Sequence, residues 1–417
     1  MLLLRRFLMS ENKQTVFDTL GRHPIHPFPA RMAPGIALSA LSSAQKPMRV
    51  LDPMMGSGTV LAMARAHGHY ATGVDVDPLA VLLAKVWTTA TDQQEIVDAG
   101  ANALAKAKSI FDNVTYGSAY PSDCSAETRQ FLRYWFDQYA RRQLAALAIV
   151  IGRVRRQPIR DALWGAFSRL IITKSSGASL AMDLSHSRPH KAFHRAPVKP
   201  FDGFPAAVSH VAKNCVSPDA QNRGPQPTTI LGDARKLTAA SNSFDLVLTS
   251  PPYLNAIDYI RCSKFSLVWM GHNIDELRDT RAASVGSELS HAGALDDEAV
   301  RAVIADLGLK PKLSARNNAI LSRYVWDMRD SLSEVSRVLK KRGEAIYVVG
   351  DSTVRGTFVR NSEIVRSVAE LSGLALVARR TRNLPANRRY LPPPTKASLP
   401  APLDTRMRRE VILTFKK

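Results

Sequence analysis

The sequence predicts an α/β protein built on a doubly wound, mostly parallel sheet, and three observations predict it. A short apolar run, Met48–Asp52, passes straight into a glycine turn and then into a helical pattern. A second strand signal, Tyr70–Val74, follows that helix and ends at Asp75. Further strand signals recur at Thr229–Leu231, Phe244–Thr249, Glu344–Val349, Leu374–Ala378 and Val411–Phe415. A strand, a crossover helix and a second strand make a βαβ unit, the start of a doubly wound sheet.

Taken in order, the opening Met1–Met9 stretch is apolar around Arg5 and Arg6. It is too short for a signal peptide and has no small-residue cleavage site, and Met9 is an alternative start. After the first strand come Pro53-Met54-Met55-Gly56-Ser57-Gly58-Thr59 and a helix carrying Val60, Leu61, Met63 and Ala64. Asp75-Val76-Asp77-Pro78 closes the second strand, and another helix starts at Leu79. Apolar residues at helical spacing through Phe131–Tyr139, Leu144–Ile151 and Leu163–Ile172 make 91–172 mainly helical. The stretch 174–227 is rich in Ser, Pro, His and basic residues and reads as an ordered loop or linker. A helical region with a polar insert, 272–320, precedes the fifth strand. A length of 417 residues fits one large domain with an insertion, or two domains. The expected division is 20–90 with 228–417 as one α/β domain and 91–227 as a helical, basic insertion.

Hydrophobic residues make up 45% of the chain, enough for a packed core, yet no apolar run approaches the roughly 18 residues that span a bilayer. Cys124, Cys215 and Cys262 are odd in number and widely spaced, which suits neither a disulfide framework nor a zinc site and points to a reducing cytoplasm. The net charge of +21 suits a polyanionic partner, whose condensed counterions are released on binding. Charge alone would equally serve solubility, a ribosome or an acidic membrane surface. It is concentrated: Arg129–Lys199 holds fourteen Lys or Arg against three Asp, and Arg379–Lys417 eleven against two acids.

Glycines after a strand allow a tight turn and let backbone N–H groups approach a ligand at a helix N-terminus. The pattern Gly56-Ser57-Gly58-Thr59 lacks the Gly-Lys-Ser/Thr of a triphosphate-binding loop. Asp75 sits where a carboxylate can accept hydrogen bonds from both ribose hydroxyls, with Asp77 as a competitor. A structural glycine turn and a helix-capping aspartate remain alternatives, and a hydride-transferring dinucleotide enzyme meets the same criteria.

The segment Leu246-Val247-Leu248-Thr249-Ser250-Pro251-Pro252-Tyr253 separates these readings. Two prolines after a strand remove N–H donors and hold the chain extended. Carbonyls at Ser250 and Pro251 can then point at a substrate, and Tyr253 offers a face for stacking a base. Here the sequence resembles the amino-methylating DNA methyltransferases, whose tetrad is Asp, Asn or Ser before Pro-Pro-Tyr or Pro-Pro-Phe. The Ser form is associated mainly with cytosine N4 enzymes. Asp52-Pro53-Met54-Met55-Gly56-Ser57-Gly58-Thr59 looks like that family's cofactor loop, and Asp75 matches its ribose-binding acid. Gly232-Asp233-Ala234 looks like the segment contacting the cofactor adenine. His26-Pro27-Phe28-Pro29-Ala30-Arg31 resembles the segment near the methionine end. The resemblance covers about 20–90 and 228–417. It implies a Rossmann-like class I methyltransferase fold, a seven-stranded sheet with the last strand antiparallel, and S-adenosylmethionine as cofactor. It further implies a catalytic set Ser250, Pro251, Pro252 and Tyr253, double-stranded DNA as partner, and a cytoplasmic, nucleoid-associated site of action, with a cognate restriction endonuclease as a further partner. The cofactor loop precedes the tetrad, whereas many cytosine N4 enzymes have them reversed.

Cytosine C5 methylation needs a cysteine thiolate, and no cysteine here follows a proline. Adenine N6 methylation is the nearest rival, followed by an RNA guanine N2 methyltransferase and a catalytically dead DNA-binding scaffold. DNA contacts are expected from the basic run containing Arg188, His190, Lys191 and Arg195, and from Arg388 and Arg389 between the last two strands. A solvated loop is the alternative for the first of these. His186, His190 and His194 are four apart, but Pro189 interrupts a helix and no acid accompanies them, so no metal site is expected.

Overall fold

The computed structural model describes residues 15–29, 32–42, 44–185, 189–219, 224–254, 259–286, 298–309, 313–354, 357–383 and 409–417. Its strands are β1 (Arg49–Asp52), β2 (Tyr70–Asp75), β3 (Thr228–Leu231), β4 (Phe244–Thr249), β5 (Leu339–Gly350), β6 (Ser352–Val354), β7 (Thr357–Val359), β8 (Ala375–Asn383) and β9 (Arg409–Lys416). Seven form one sheet in the order β3-β2-β1-β4-β5-β9-β8, and β6 and β7 make a separate two-stranded pair. β2 runs parallel to β3, and β4 parallel to both β1 and β5, while β9 is antiparallel to β5 and β8. This is the Rossmann-like class I methyltransferase arrangement that the resemblance implies, with the last strand of the chain reversed.

The burial of each strand explains its place. Leu246–Thr249 of β4 and Ala345–Gly350 of β5 are buried without a break, as central strands covered on both faces must be. β8 lies at the end of the sheet, with Arg379, Arg380 and Arg382 along it, and such charges discourage pairing with another chain. β8 runs on to Asn383 and β5 starts at Leu339, both beyond the apolar runs that predict them, because ladder hydrogen bonds continue into charged residues.

By their internal contacts the residues divide into two units: Met1–Pro47, Met55–Leu231 and Tyr259–Arg281 in one, and Met48–Met54, Gly232–Asp258 and Ala282–Lys417 in the other. The first holds β2, β3 and most of the helices. Helices Thr59–Ala66 and Pro78–Thr88 flank β2, and helices Gln93–Ser109, Ala126–Trp135, Gln138–Gly152 and Gln157–Ile171 follow, as the helical spacing of 91–172 predicts. The loop expected across 174–227 is in part a helix, Pro200–Asn214. Phe201, Phe204, Val208 and Val211 recur at helical spacing on its buried face, Pro200 occupies the first turn, and the ring of Pro205 faces out. The Ser, Pro and His content of the flanking residues hides this short periodic core from a compositional reading.

The second unit holds β1, β4, β5, β9 and β8. Helix Ala315–Val338 buries Leu321, Tyr324, Val325, Met328, Leu332 and Val335, and helix Asn361–Leu371 buries Ile364, Val365 and Val368. Among the described residues no helix is long and apolar enough to cross a membrane.

In the first unit, helix Gln93–Ser109 packs on helix Pro200–Asn214 through Gly100, where an added Cβ would lie 2.6 Å from Cγ1 of Val208 and 3.0 Å from its Cγ2. Gly100→Val should therefore lower the melting temperature through overpacking worth about 1–3 kcal/mol. Val208→Ala in the same chain should recover part of the loss. Calorimetry showing an unchanged melting temperature for the single variant would remove this contact from the core.

Candidate active site

In the first unit the glycine loop is built around β2. The Met55 N–H donates to the Val74 carbonyl (3.0 Å), and the Gly56 N–H donates to Oδ2 of Asp75 (2.8 Å). Gly58 adopts φ of +86°, and a Cβ there would sit 2.8 Å from Cβ of Ala84, so only glycine fits both the turn and the neighbouring helix. Helix Thr59–Ala66 starts at Gly58 with no side-chain cap, which leaves its first N–H groups and the positive end of its dipole for a ligand. Ser57 and Thr59 are buried, and among the described residues neither hydroxyl has a hydrogen-bond partner. A polar ligand at this turn would supply one. Phe28 lies over the loop, 3.8 Å from where a Cβ of Gly56 would be, and stacks on Tyr259 (6.0 Å between centroids, 8° between planes). Pro29 is buried beside it, whereas Ala30 and Arg31 lie outside the described residues.

The two acids at the end of β2 separate by what they touch. Asp77 is buried, its Oδ1 caps helix Pro78–Thr88 at the Leu79 N–H (2.9 Å), and its Oδ2 accepts from the Ser263 hydroxyl. Both of its oxygens are therefore engaged within the protein. Asp75 is only half-buried and accepts from the Gly56 and Asp77 N–H groups. The two acids thus differ in exposure and in donors: Asp75 accepts only backbone N–H groups, Asp77 a side-chain hydroxyl as well. Burial raises the Asp75 carboxyl above its usual range, opposed by these N–H donors. Burial and the neighbouring Asp75 charge push Asp77 up to about 7.

In the second unit, β1 and β4 pair in register Val50↔Leu246 and Leu51↔Val247, so their carboxyl ends lie side by side. Asp52, buried at the end of β1, accepts through Oδ1 from the Thr249 hydroxyl (2.7 Å) and the Met54 N–H (3.2 Å). Pro53 runs between them and is buried. Ser250 follows Thr249 directly, and its hydroxyl donates to the Val348 carbonyl of β5 (3.1 Å). Tyr253 donates its hydroxyl to Oε1 of Glu410 (3.2 Å), and Glu410 is in turn paired with Arg382 (2.7 Å). Tyr324, fully buried on helix Ala315–Val338, donates to the Pro252 carbonyl (3.1 Å). Its burial and the nearby Asp351 and Asp327 carboxylates keep that phenol protonated and able to donate. Asp233 forms an ion pair with Arg235 (2.6 Å), which also binds buried Asp327 (2.6 Å), and Ala234 is buried beside it.

Of the residues expected to contact DNA, His190, Lys191 and Arg195 are exposed in the first unit, while Arg188, Arg388 and Arg389 lie outside the described residues. The sequence reading missed the roles of Thr249, Tyr324, Val348 and Glu410. Thr249 has a local signal, since it is the residue between the strand core and the tetrad. The others come from distant segments and carry none.

No protein-family model matches the chain. Over 364 residues, 80% of its length and 77% of the other protein's, it is 22% identical to the type II methyltransferase M.MvaI of Kocuria varians. It is also similar to a SAM-dependent methyltransferase from Methanosarcina mazei, 9% identical over 91% of this chain and 96% of that one, at a TM-score of 0.33. A TehB-like SAM-dependent methyltransferase from Corynebacterium glutamicum is 10% identical over 100% of this chain and 96% of that one, at a TM-score of 0.30. The fold assignment rests on strand order and direction.

Asp77 gives a pH test. Its carboxyl stays protonated in the folded protein up to about 7 but ionises near 3.8 once exposed, so unfolding releases a proton in that window. Stability should therefore fall as pH rises from about 4 to 7, with the contribution fully present below that range. Asp77→Asn keeps a capping oxygen and removes the titration, so its melting temperature should fall less across the same range. Parallel curves for the two proteins would show that Asp77 does not titrate there.

Proposed function

We propose that this chain is an S-adenosylmethionine-dependent DNA methyltransferase acting on an exocyclic amino nitrogen, with cytosine N4 favoured over adenine N6. The observation that carries the reading is the polarity of Ser250. Its hydroxyl donates to the Val348 carbonyl at 3.1 Å, nearer than the Tyr253 hydroxyl at 3.4 Å, which itself donates to Glu410. With its hydrogen on Val348, the Ser250 oxygen can accept. A serine oriented this way suits an amino group, which has two protons to donate, and suits a carbonyl acceptor poorly.

S-adenosylmethionine, when bound, supplies a methyl group made electrophilic by its sulfonium. Asp75 would hold the ribose hydroxyls, the uncapped start of helix Thr59–Ala66 with Gly56, Ser57, Gly58 and Thr59 would cradle the methionine portion, and Phe28 with Pro29 would close over it. Asp233 and Ala234 are assigned to the adenine side. Asp52, Pro53 and Met54 are assigned to the approach to that cradle, and the Thr249 hydroxyl holds Asp52.

The amine of cytosine is a weak nucleophile because its lone pair is delocalised into the ring. In this reading the base leaves the duplex and stacks on Tyr253. Ser250 Oγ and the Pro251 carbonyl accept the two amino protons, since Tyr324 already occupies the Pro252 carbonyl. Drawing on both protons favours a tetrahedral nitrogen whose lone pair points at the methyl carbon, and one of the two amino protons is then lost to solvent to leave the neutral methylated amine. Glu410 holds the Tyr253 hydroxyl and so fixes the ring, and positioning supplies much of the rate. No covalent intermediate is needed.

The charge of +21 and the type II methyltransferase from Kocuria varians support DNA as the substrate. The segment 91–227 is assigned to target recognition, with 272–320 as the alternative, and a cognate restriction endonuclease is the partner this reading anticipates. Cytosine is preferred to adenine on the Ser form of the tetrad, and the same residue counts against RNA guanine N2 transfer.

Mass spectrometry of nucleosides from DNA treated with the protein and S-adenosylmethionine should show N4-methylcytosine. N6-methyladenine would change the base assignment, and the absence of any methylated amine would end the proposal. Ser250→Ala should lower kcat on the order of 10²-fold, as loss of one preorganised transition-state hydrogen bond does. Cofactor affinity, read by calorimetric titration, should change little.

A further inference from the structure

The basic segment after Pro189 is not a free loop. The Leu180 N–H donates to the Trp135 carbonyl (2.8 Å), and the Ala192 and Phe193 N–H groups both donate to the Leu180 carbonyl (2.9 and 3.2 Å). Ala181 and Lys191 form an isolated antiparallel bridge. These bonds lay the segment against the C-terminal end of helix Ala126–Trp135 within the first unit. Lys191 then places its ammonium 5.2 Å from the ring centroid of Tyr134, a tyrosine that is 53% exposed. Arg133, beside it on the helix, is exposed as well. On the same helix Phe131 carries Lys264 at 5.1 Å, from the helix Tyr259–Leu267 that follows the tetrad in the chain. Phe131 and Trp135 pack on Phe265 (5.1 and 5.0 Å), which joins the two helices.

Two acids on or beside helix Ala126–Trp135 are engaged. Glu127 is paired with Arg278, and Asp137 caps helix Gln138–Gly152 and accepts from the Ala196 N–H (2.6 Å). Many of the stretch's other arginines are bound inside the fold: Arg141 to Tyr116, Arg142 to Phe111 and Val114, Arg160 to Val154, and Arg169 to Ile25. Arg156 is paired with Glu95. Among the exposed cations of this stretch, Lys191 is held over an exposed aromatic ring with Arg133 beside it, so that pair is placed before any partner arrives.

From this geometry we infer that the face made by Arg133, Tyr134 and Lys191 is a docking surface for the phosphate backbone of duplex DNA. The inference rests on the methyltransferase reading and adds to it where the duplex is gripped. Charge complementarity selects the polyanion, and cations fixed over aromatic rings lose little freedom on binding, so the contact orients the duplex without reading sequence. Phosphate contacts of this kind appear in the salt dependence of binding, by nearly one unit of slope for each cation.

The test uses the full chain, a fluorescent duplex DNA of about 30 base pairs and anisotropy across a potassium chloride series. Arg133→Ala with Lys191→Ala should weaken binding and flatten the plot of log K against log salt by about two units. Arg133→Lys with Lys191→Arg should restore the slope, which a misfolded variant could not do. An unchanged slope in the double alanine variant overturns the inference while leaving the methyltransferase reading intact, provided that the unaltered protein methylates the duplex. An unaltered protein that neither binds nor methylates duplex DNA overturns both. Tighter binding of a duplex RNA of the same sequence overturns the choice of DNA.

Discussion

A threonine hydroxyl and a buried carboxylate, 2.7 Å apart, join the ends of β1 and β4. A carboxylate buried at a strand end needs hydrogen-bond donors, and Thr249 and the Met54 N–H each supply one to Oδ1. The geometry depends on parallel pairing. Two parallel neighbours deliver their carboxyl ends to the same edge, so the chains leaving β1 and β4 begin side by side. One becomes the glycine loop and the other the Ser-Pro-Pro-Tyr segment. The start of the Ser-Pro-Pro-Tyr segment depends on that edge.

The reversed strand completes the arrangement. β9 is antiparallel to β5, pairing Gly350 with Glu410, so its first residues lie at the carboxyl end of β5. A parallel strand would have brought its last residues there instead. Glu410 is thereby placed to take the Tyr253 hydroxyl, with Arg382 of β8 opposite it in the ladder. Tyr324 and Asp327, one turn apart on helix Ala315–Val338, hold the Pro252 carbonyl and Arg235 respectively. One helix face thus stiffens both the tetrad and the segment after β3. Stiffness matters because a hydroxyl accepts a proton in one direction only when its own hydrogen is held in another.

The large positive charge is a poor guide to a binding face until the fold shows which cations are already committed. Several arginines between Arg129 and Lys199 hold carbonyls inside the first unit, and burial lowers the pKa of Arg169 to about 10. Their charge works for folding, by satisfying loop carbonyls that would otherwise be buried unpaired. The cations that project outward, Arg133 and Lys191 among them, lie on elements that compositional reading treats as unrelated.

The sequence by itself determined the α/β class, the order of strands along the chain, the glycine loop, the acid at the end of β2 and the Ser-Pro-Pro-Tyr segment. These are local: alternation of apolar runs, glycine where a positive φ is needed and proline where donors must be absent are written within a few residues. Helix Pro200–Asn214 escaped because its periodic core is short and lies among residues typical of loops. Tertiary structure alone decided that Asp77 caps a helix while Asp75 stays accessible, and that Ser250 donates to Val348. It alone brought Glu410 to Tyr253, 157 residues away, and Tyr324 to Pro252, 72 residues away. Such partners share no sequence pattern, because a hydrogen bond requires atoms to meet in space and the packing of strands and helices sets which ones do.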